Sequence, residues 1–233
     1  MIPLRDRNPS RTLPYVSIGL IVVNAAAFFY QLSLGQHLEP FLIQYGLVPA
    51  RLLHVGESAG VSIGSAFVPL FTSMFFHGGW LHIIGNMWYL WIFGDNVEDR
   101  LGHSRFLVFY LLCGIAAGII HTLFNLSSAV PTIGASGAIA GVLGAYLISF
   151  PHARILTAIP IFIFIQIVEI PAIFFLVFWF ILQFFSGALS VTSTATSAQA
   201  GGIAWWAHVG GFVFGIILVF VFSKRRGFSR RYY

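Results

Sequence analysis

Three apolar stretches of the chain carry polar side chains of the kinds that perform acyl transfer. His82 and Asn86 lie four residues apart, which places them on one face of a helix. Ser136 lies within a Gly-x-Ser-Gly segment, and His208 lies within an Ala-His-x-x-Gly segment. A serine hydroxyl is a poor nucleophile until a neighbouring base takes its proton. A histidine suits that task and can return the proton to a leaving amine.

The same residues supply donors for the negative charge that develops during acyl transfer. A tetrahedral intermediate needs N–H groups aimed at its oxyanion, and His82, Asn86 and the backbone N–H of Ser136 are the candidates. Ser136 begins a predicted helix, whose dipole also favours negative charge. An acid that would complete a triad is missing, because Asp95 lies roughly 13 Å deeper than Asn86 by helical rise. The other acidic residues lie in loops or on the predicted cytoplasmic side, so we predict a Ser–His dyad.

The composition places these residues in a membrane protein. Of the 233 residues, 8 % are charged and 58 % are hydrophobic, whereas a soluble domain carries about 25 % charged residues. So few charges cannot cover the surface of a water-soluble protein, and the apolar surplus must face lipid. The net charge of +5 is therefore interpreted through membrane topology, and no nucleic-acid partner is predicted.

Six apolar runs are candidates for membrane spans. They are Val16–Leu34, Leu81–Gly94 (extended outward through Phe75), Phe106–Leu126, Ile133–Phe150, Ile170–Gly187 and Trp205–Phe222. All the basic residues except Arg51 lie before span 1, between spans 2 and 3, after span 4 or after span 6, which predicts cytoplasmic termini. We therefore expect an all-α bundle of six transmembrane helices that forms a single domain over residues 1–233.

The segments outside the spans have assigned places in this topology. Residues 1–15 form a cytoplasmic N-terminus, residues 37–74 an external loop, residues 187–204 an external cap loop and residues 223–233 a basic cytoplasmic tail. Ile155–Glu169 is apolar, but Pro160 and its many β-branched residues argue against a full span. We interpret that segment as a hairpin or interfacial piece on the cytoplasmic side.

This topology brings the four polar residues to one level of the membrane. Spans 2, 4 and 6 run from outside to inside, and the four residues lie within about the first three turns of these spans. Small residues recur every four positions on spans 4 and 6, and such faces let two helix backbones pack closely. The glycines assigned to this packing are Gly134, Gly137, Gly141, Gly211 and Gly215.

Together these motifs resemble the rhomboid family of intramembrane serine proteases. The motifs are Gly134-x-Ser136-Gly137, His82-x-x-x-Asn86 and Ala207-His208-x-x-Gly211-x-x-x-Gly215, with further similarity at Asn8–Arg11, Tyr45–Pro49 and Glu98–Gly102. The resemblance implies that Ser136 is the nucleophile, that His208 is the general base and acid, and that His82, Asn86 and the Ser136 amide form the oxyanion hole. It implies that span 5 and the loop Gly187–Trp205 form a lateral gate and cap.

The implied activity is regulated intramembrane proteolysis. The substrates would be single-span transmembrane proteins, cut within the lipid bilayer near its outer face, and neither a metal nor a cofactor is predicted. A six-span core without a seventh helix or a presequence predicts a prokaryotic cytoplasmic membrane. The sequence does not assign an oligomeric state.

The sequence departs from the family pattern at two places. Many members carry a Trp-Arg pair before the Phe-Thr of the first loop, whereas Val68-Pro69-Leu70 precede Phe71-Thr72 here. Some members have a tyrosine one turn after the serine that stacks on the catalytic histidine. Ala140 occupies that place here, so another group or none orients His208.

Other interpretations remain open at this point. Ser136 could bond a backbone carbonyl of its own helix, and the histidines and Asn86 could join helices structurally. His77 lies near His82 and is either a supporting or an interfacial residue. A metal site of His77, His82 and His208 would lack a carboxylate or cysteine. A catalytically weak or dead relative that binds membrane clients would keep this scaffold, and a transporter would show mid-membrane charges or an internal repeat.

Overall fold

The computed structural model describes residues 1–53, 63–162, 164–192 and 204–223. Within these ranges the helices are α1 Tyr15–Ser33, α2 Leu38–Tyr45, α3 Pro49–Leu53, α4 Ile63–Thr72, α5 Trp80–Leu101, α6 His103–Phe124, α7 Ser136–Ser149, α8 Ala172–Thr192 and α9 Trp205–Phe222. The strands are β1 Ile2–Asp6, β2 Arg154–Ile161 and β3 Phe164–Pro171. Residues 54–62 of the expected external loop, 193–203 of the cap loop and 224–233 of the basic tail lie outside the described residues.

Each of the six apolar runs contains a helix, but not every helix has the length of a membrane span. α1, α6, α8 and α9 are long and apolar enough to cross a bilayer individually. α5 qualifies together with Ala66–Phe75, from which it is bent by 81°. α7 has 14 residues, fewer than the roughly 20 that a crossing needs. The protein is therefore a multi-pass membrane protein, and its described residues contain four or five such spans. A sixth span and the orientation of the termini stay predictions.

Helix α1 shows that lipid surrounds the bundle. Its polar residues Ser17, Asn24 and Gln31 are buried, whereas Val22 and Phe29 are each 60 % exposed. A helix in water would bury the apolar side chains and expose the polar ones. Polar residues that face the bundle and apolar residues that face outward are typical of a helix in a bilayer.

A buried carboxylate fixes the start of α1 against the end of α5. Glu98 accepts hydrogen bonds from the backbone N–H groups of Val16 (2.9 Å) and Ser17 (2.8 Å). These first-turn groups have no partner within their own helix, and the helix dipole favours a carboxylate there. At the same end, Arg105 of α6 donates to the backbone oxygen of Phe222, the last residue of α9, at 3.3 Å. The start of α1 and α6 and the end of α5 and α9 therefore meet at one end of the bundle.

The protein is mostly helical, as expected, and a three-stranded antiparallel sheet is an addition to the predicted all-α bundle. The strand order is β1-β2-β3, and β2 and β3 pair without interruption from Arg154↔Pro171 to Ile161↔Phe164. The hairpin interpretation of this segment is thus confirmed, while strand β1 was not predicted. β1 pairs with the free edge of β2, which satisfies the backbone hydrogen-bonding groups of that edge. The indole N–H of Trp88 donates to the backbone oxygen of Pro3 at 2.7 Å and ties β1 to α5.

The short helix α7 lies at the centre of the bundle. Every residue from Gly137 to Tyr146 is buried, so no side of this part of the helix faces lipid. A helix surrounded in this way must be narrow, because its neighbours approach it from several directions at once. Its small residues meet that requirement, and its first turn is held at a fixed position relative to α5 and α9.

Candidate active site

A glycine-dependent turn delivers Ser136 to the start of α7. Gly134 has a φ of +132°, which favours glycine, and its N–H donates to the backbone oxygen of Ser73 at 2.9 Å. A Cβ atom at this position would lie 2.8 Å from His82 Nε2 and 3.6 Å from Ser136 Oγ. Gly134 therefore has two reasons to be glycine, and the same measurement shows that His82 Nε2 and Ser136 Oγ face one point.

Helix α9 places His208 against this serine. Nε2 of His208 lies 2.8 Å from Oγ of Ser136, within the range of an ordinary hydrogen bond. Each residue is in the first turn of its helix, so the two helices must start side by side. A Cβ atom on Gly211 would collide with the backbone oxygen of Gly137. The backbones of α7 and α9 are in direct contact one turn below the pair.

The second ring nitrogen of His208 is bound from α8. Nδ1 lies 2.7 Å from Oε1 of Gln183, which is 8 % exposed. The Trp179 ring, one turn earlier on α8, packs against the imidazole with centroids 5.9 Å apart and planes at 36°. Sequence analysis did not identify Gln183. The signal was present, since Gln183 is an amide inside an apolar span, the criterion that identified Asn86.

His82 and Asn86 face Ser136 from α5 with donors directed into the same space. Nδ1 of His82 accepts the backbone N–H of Gly78 at 3.3 Å, so a neutral His82 carries its proton on Nε2. This Nε2 is the atom that faces Ser136 beside Gly134. Asn86 is 7 % exposed, and among the described residues its Nδ2 group has no hydrogen-bond partner. A buried donor without a partner is costly, and here a substrate oxygen can satisfy it.

His77 stands behind His82 rather than in the space beside Ser136. It is 2 % exposed, and its ring lies edge-on to that of His82 with centroids 5.1 Å apart. Its backbone N–H donates to Gln31 Oε1 at 2.9 Å, and its backbone oxygen accepts from Gln31 Nε2 at 3.1 Å. Across the described ranges, no group of three or more His, Cys, Asp or Glu residues is arranged to hold a metal ion.

The candidate residues line one cavity of about 940 Å³. Its walls come from α5, α7, α8, the start of α9 and the segments before α5 and α7. The polar lining residues include Ser136, His208, His82 and Asn86, and the apolar ones include Trp80, Leu81, Ile133, Ile139, Leu143 and Trp179. Apolar walls with a few convergent polar groups are typical of ligand-binding sites. The site residues lie at the opposite end of α5 and α9 from Glu98 and Phe222.

Comparisons with known proteins identify a family. Residues 64–225 match the model of the family described as Rhomboid domain. Rhomboid protein 1, mitochondrial, of Saccharomyces cerevisiae is 29 % identical over 161 residues, which are 67 % of this chain and 42 % of that protein. Presenilin-associated rhomboid-like protein A, mitochondrial, of Danio rerio is 28 % identical over 157 residues, 64 % of this chain and 36 % of that protein.

A plant relative extends the comparison. RHOMBOID-like protein 1 of Arabidopsis thaliana is 30 % identical over 156 residues, which are 67 % of this chain and 34 % of that protein. The chain thus covers less than half the length of these relatives. Two of the three names place their proteins in mitochondria, which disagrees with the expectation of a prokaryotic cytoplasmic membrane.

Proposed function

The chain belongs to the rhomboid family, and on that premise we propose that it is an intramembrane serine endopeptidase that cleaves single-span membrane proteins with a Ser136–His208 dyad. The observation that carries the proposal is the 2.8 Å contact between Ser136 Oγ and His208 Nε2 in a cavity that also contains two side-chain donors. The family acts on transmembrane substrates in the bilayer, and the many apolar helices of this chain suit that setting.

The first chemical step forms a bond between Ser136 and the substrate. Oγ attacks the carbonyl carbon of the scissile peptide bond while its proton passes to Nε2 of His208. The carbonyl oxygen becomes an oxyanion, and the donors for it are Nδ2 of Asn86, Nε2–H of His82 and the backbone N–H of Ser136. Donors that are positioned before the reaction lower the barrier without reorganisation.

The second step breaks the peptide bond. The oxyanion collapses, the C–N bond breaks, and the imidazolium of His208 gives its proton to the leaving amine. This leaves an ester between the substrate acyl group and Ser136. A water molecule then attacks the ester carbonyl, its proton passes to His208, and the second collapse returns that proton to Ser136 Oγ. The released products are an amine and a carboxylic acid.

The position of the dyad determines where a substrate is cut. Ser136 and His208 lie in the first turns of α7 and α9, at the end of the bundle opposite Glu98. With the predicted orientation, that end is the outer face of the membrane. The scissile bond would therefore lie near the outer end of a substrate helix. Substrate residues there must leave the helical conformation, because a helical peptide carbonyl is already hydrogen-bonded and shielded by the side chains around it.

Cleavage of a single-span reporter in reconstituted vesicles tests this function. The reporter helix should carry small and helix-weakening residues near its outer end. We expect Ser136→Ala and His208→Ala each to abolish cleavage. Ser149→Ala, at the other end of α7, and His152→Ala, an exposed histidine, are matched controls that should cleave normally.

The outcomes distinguish a protease from a relative that binds membrane clients without cleaving them. Cleavage that survives Ser136→Ala would refute the assignment of the nucleophile. If the unsubstituted protein binds the reporter but neither cleaves it nor reacts with a serine-directed fluorophosphonate, the chain is a client-binding relative instead. Labelling by the fluorophosphonate that requires both Ser136 and His208 would support an activated serine independently of any substrate.

A further inference from the structure

We propose that Gln183 is a positioning residue for the hydrolysis proposed above, whose side-chain oxygen accepts the Nδ1–H of His208 and thereby holds the imidazole ready to take the Ser136 proton. The inference rests on the proposed function. Gln183 supplies a neutral amide oxygen where, among the described residues, no carboxylate binds His208. The observation behind it is a continuous chain of contacts, with 2.7 Å from Gln183 Oε1 to Nδ1 and 2.8 Å from Nε2 to Ser136 Oγ.

The direction of the two hydrogen bonds determines which nitrogen is the base. A neutral imidazole has one N–H and one lone pair. When Nδ1–H donates to Gln183 Oε1, the lone pair is on Nε2 and can accept the proton of Ser136. In the other tautomer, Nε2–H would point at Oγ of Ser136 and could not accept its proton. An acceptor at Nδ1 therefore selects the reactive form before substrate arrives.

Burial strengthens this selection. Gln183 is 8 % exposed on a helix that spans the membrane, so little water is present to compete for Nδ1. Among the described residues, Gln183 is the one hydrogen-bond partner of that nitrogen. The ring of Trp179 packs on the imidazole from the same helix. Two side chains of α8 thus fix the proton position and the plane of the ring.

A neutral acceptor suits this site better than a carboxylate. A carboxylate buried in a membrane bundle is costly unless it is paired. The amide oxygen of Gln183 accepts the same hydrogen bond without a charge. It still stabilises the imidazolium that forms during the reaction, because Nδ1–H then becomes a stronger donor.

Two substitutions separate the hydrogen bond from the packing. Gln183→Met keeps the length of the side chain and removes the acceptor. We expect it to lower kcat by about 10²-fold with little change in KM, which is the low end for one general-base contribution. Gln183→Glu restores an acceptor, and we expect it to recover at least about 10-fold of that loss. The matched control is Gln31→Met, since Gln31 is also a buried glutamine of a spanning helix but binds the backbone of His77.

The tautomer of His208 distinguishes the two roles of Gln183, because a loss of packing alone would not change which ring nitrogen carries the proton. Nitrogen-15 NMR can be recorded on the histidine-labelled, unsubstituted protein in detergent. The signals of His208 are those that disappear in His208→Asn. They should show a protonated Nδ1 and an unprotonated Nε2. In Gln183→Met the protonated fraction at Nδ1 should fall, and in Gln31→Met it should not. A protonated Nε2 in the unsubstituted protein overturns the proposal, as does full kcat in folded Gln183→Met. If the expected tautomer is found but Ser136→Ala does not affect cleavage, the proposed function fails and the hydrogen bond stands.

Discussion

The contact between α7 and α9 can be tested by adding one methyl group, in Gly211→Ala. A Cβ atom there would lie 2.9 Å from the carbonyl carbon of Gly137 and closer to its oxygen, against 3.4 Å or more in an ordinary contact. The overlap is greatest at the oxygen, so its relief requires α9 to move away by more than the 0.5 Å that the carbonyl carbon alone would need, the difference between 3.4 and 2.9 Å. Gly137 directly follows Ser136, and Gly211 is one turn after His208, so the shift falls on the dyad.

The expected loss follows from the length of the hydrogen bond. Ser136 Oγ and His208 Nε2 are 2.8 Å apart, and a further 0.5 Å or more takes the pair beyond the usual limit of about 3.2 Å. Displacement of a reacting group by about 1 Å can cost 10²-fold in rate. We therefore expect kcat/KM to fall about 10²-fold, with a loss of about 1–3 kcal/mol in stability from overpacking.

The assay combines cleavage of the vesicle reporter with thermal unfolding in detergent. Gly19→Ala is the matched control, because Gly19 is also in a membrane-spanning helix and a Cβ atom there meets nothing within 4 Å. We expect the control to keep its activity and to change stability by no more than about 1 kcal/mol. A Gly211→Ala protein with unchanged kcat/KM would refute the claim that backbone contact between α7 and α9 sets the dyad distance.

Two further predictions concern polar side chains. Asn86→Leu removes a buried donor that has no partner among the described residues, so we expect the unfolding temperature not to decrease. We expect kcat to fall about 10²–10³-fold, because an oxyanion donor is lost. An unchanged kcat would exclude Asn86 from the oxyanion hole. Burial raises the pKa of Asp6 from 3.8 to about 6. The stability contributed by protonated Asp6 is full below its unfolded-state pKa and is lost as pH rises through about 6, so unfolding scans should show this loss in the unsubstituted protein and not in Asp6→Asn.

The helices were predictable because a segment in lipid must satisfy its own backbone hydrogen bonds. An apolar run long enough to cross a bilayer can satisfy its own backbone groups as a helix, and the structure has a helix in each of the six runs, with the bounds of Trp205–Phe222 unchanged. The candidate site was predictable for a related reason. A polar side chain inside a membrane span is costly, so the few that occur there usually have a functional role. One cavity is lined by the four polar residues that this criterion identified, His82, Asn86, Ser136 and His208.

The sheet was only half predictable, because strand pairing joins residues far apart in sequence. The segment Ile155–Glu169 carries its own signal in its β-branched residues and Pro160. Strand β1 is five residues long, includes Pro3, and becomes a strand through pairing such as Ile2↔Ala158. A short edge strand of this kind depends on its partner for its conformation, and the partner is not visible from a local pattern.

The missing tyrosine and the unpredicted glutamine concern the same side chain, the imidazole of His208. Ala140 is fully buried, and a Cβ atom built on Gly211 of α9 would lie 3.4 Å from its Cβ. Ala140 lines the cavity but carries no ring, so in this chain α7 does not orient the imidazole by stacking. The task falls to α8, the neighbouring helix that supplies Trp179 and Gln183. With alanine at residue 140, the side chains that contact both the ring face and Nδ1 of His208 come from α8, and the geometry of His208 depends on where α8 lies.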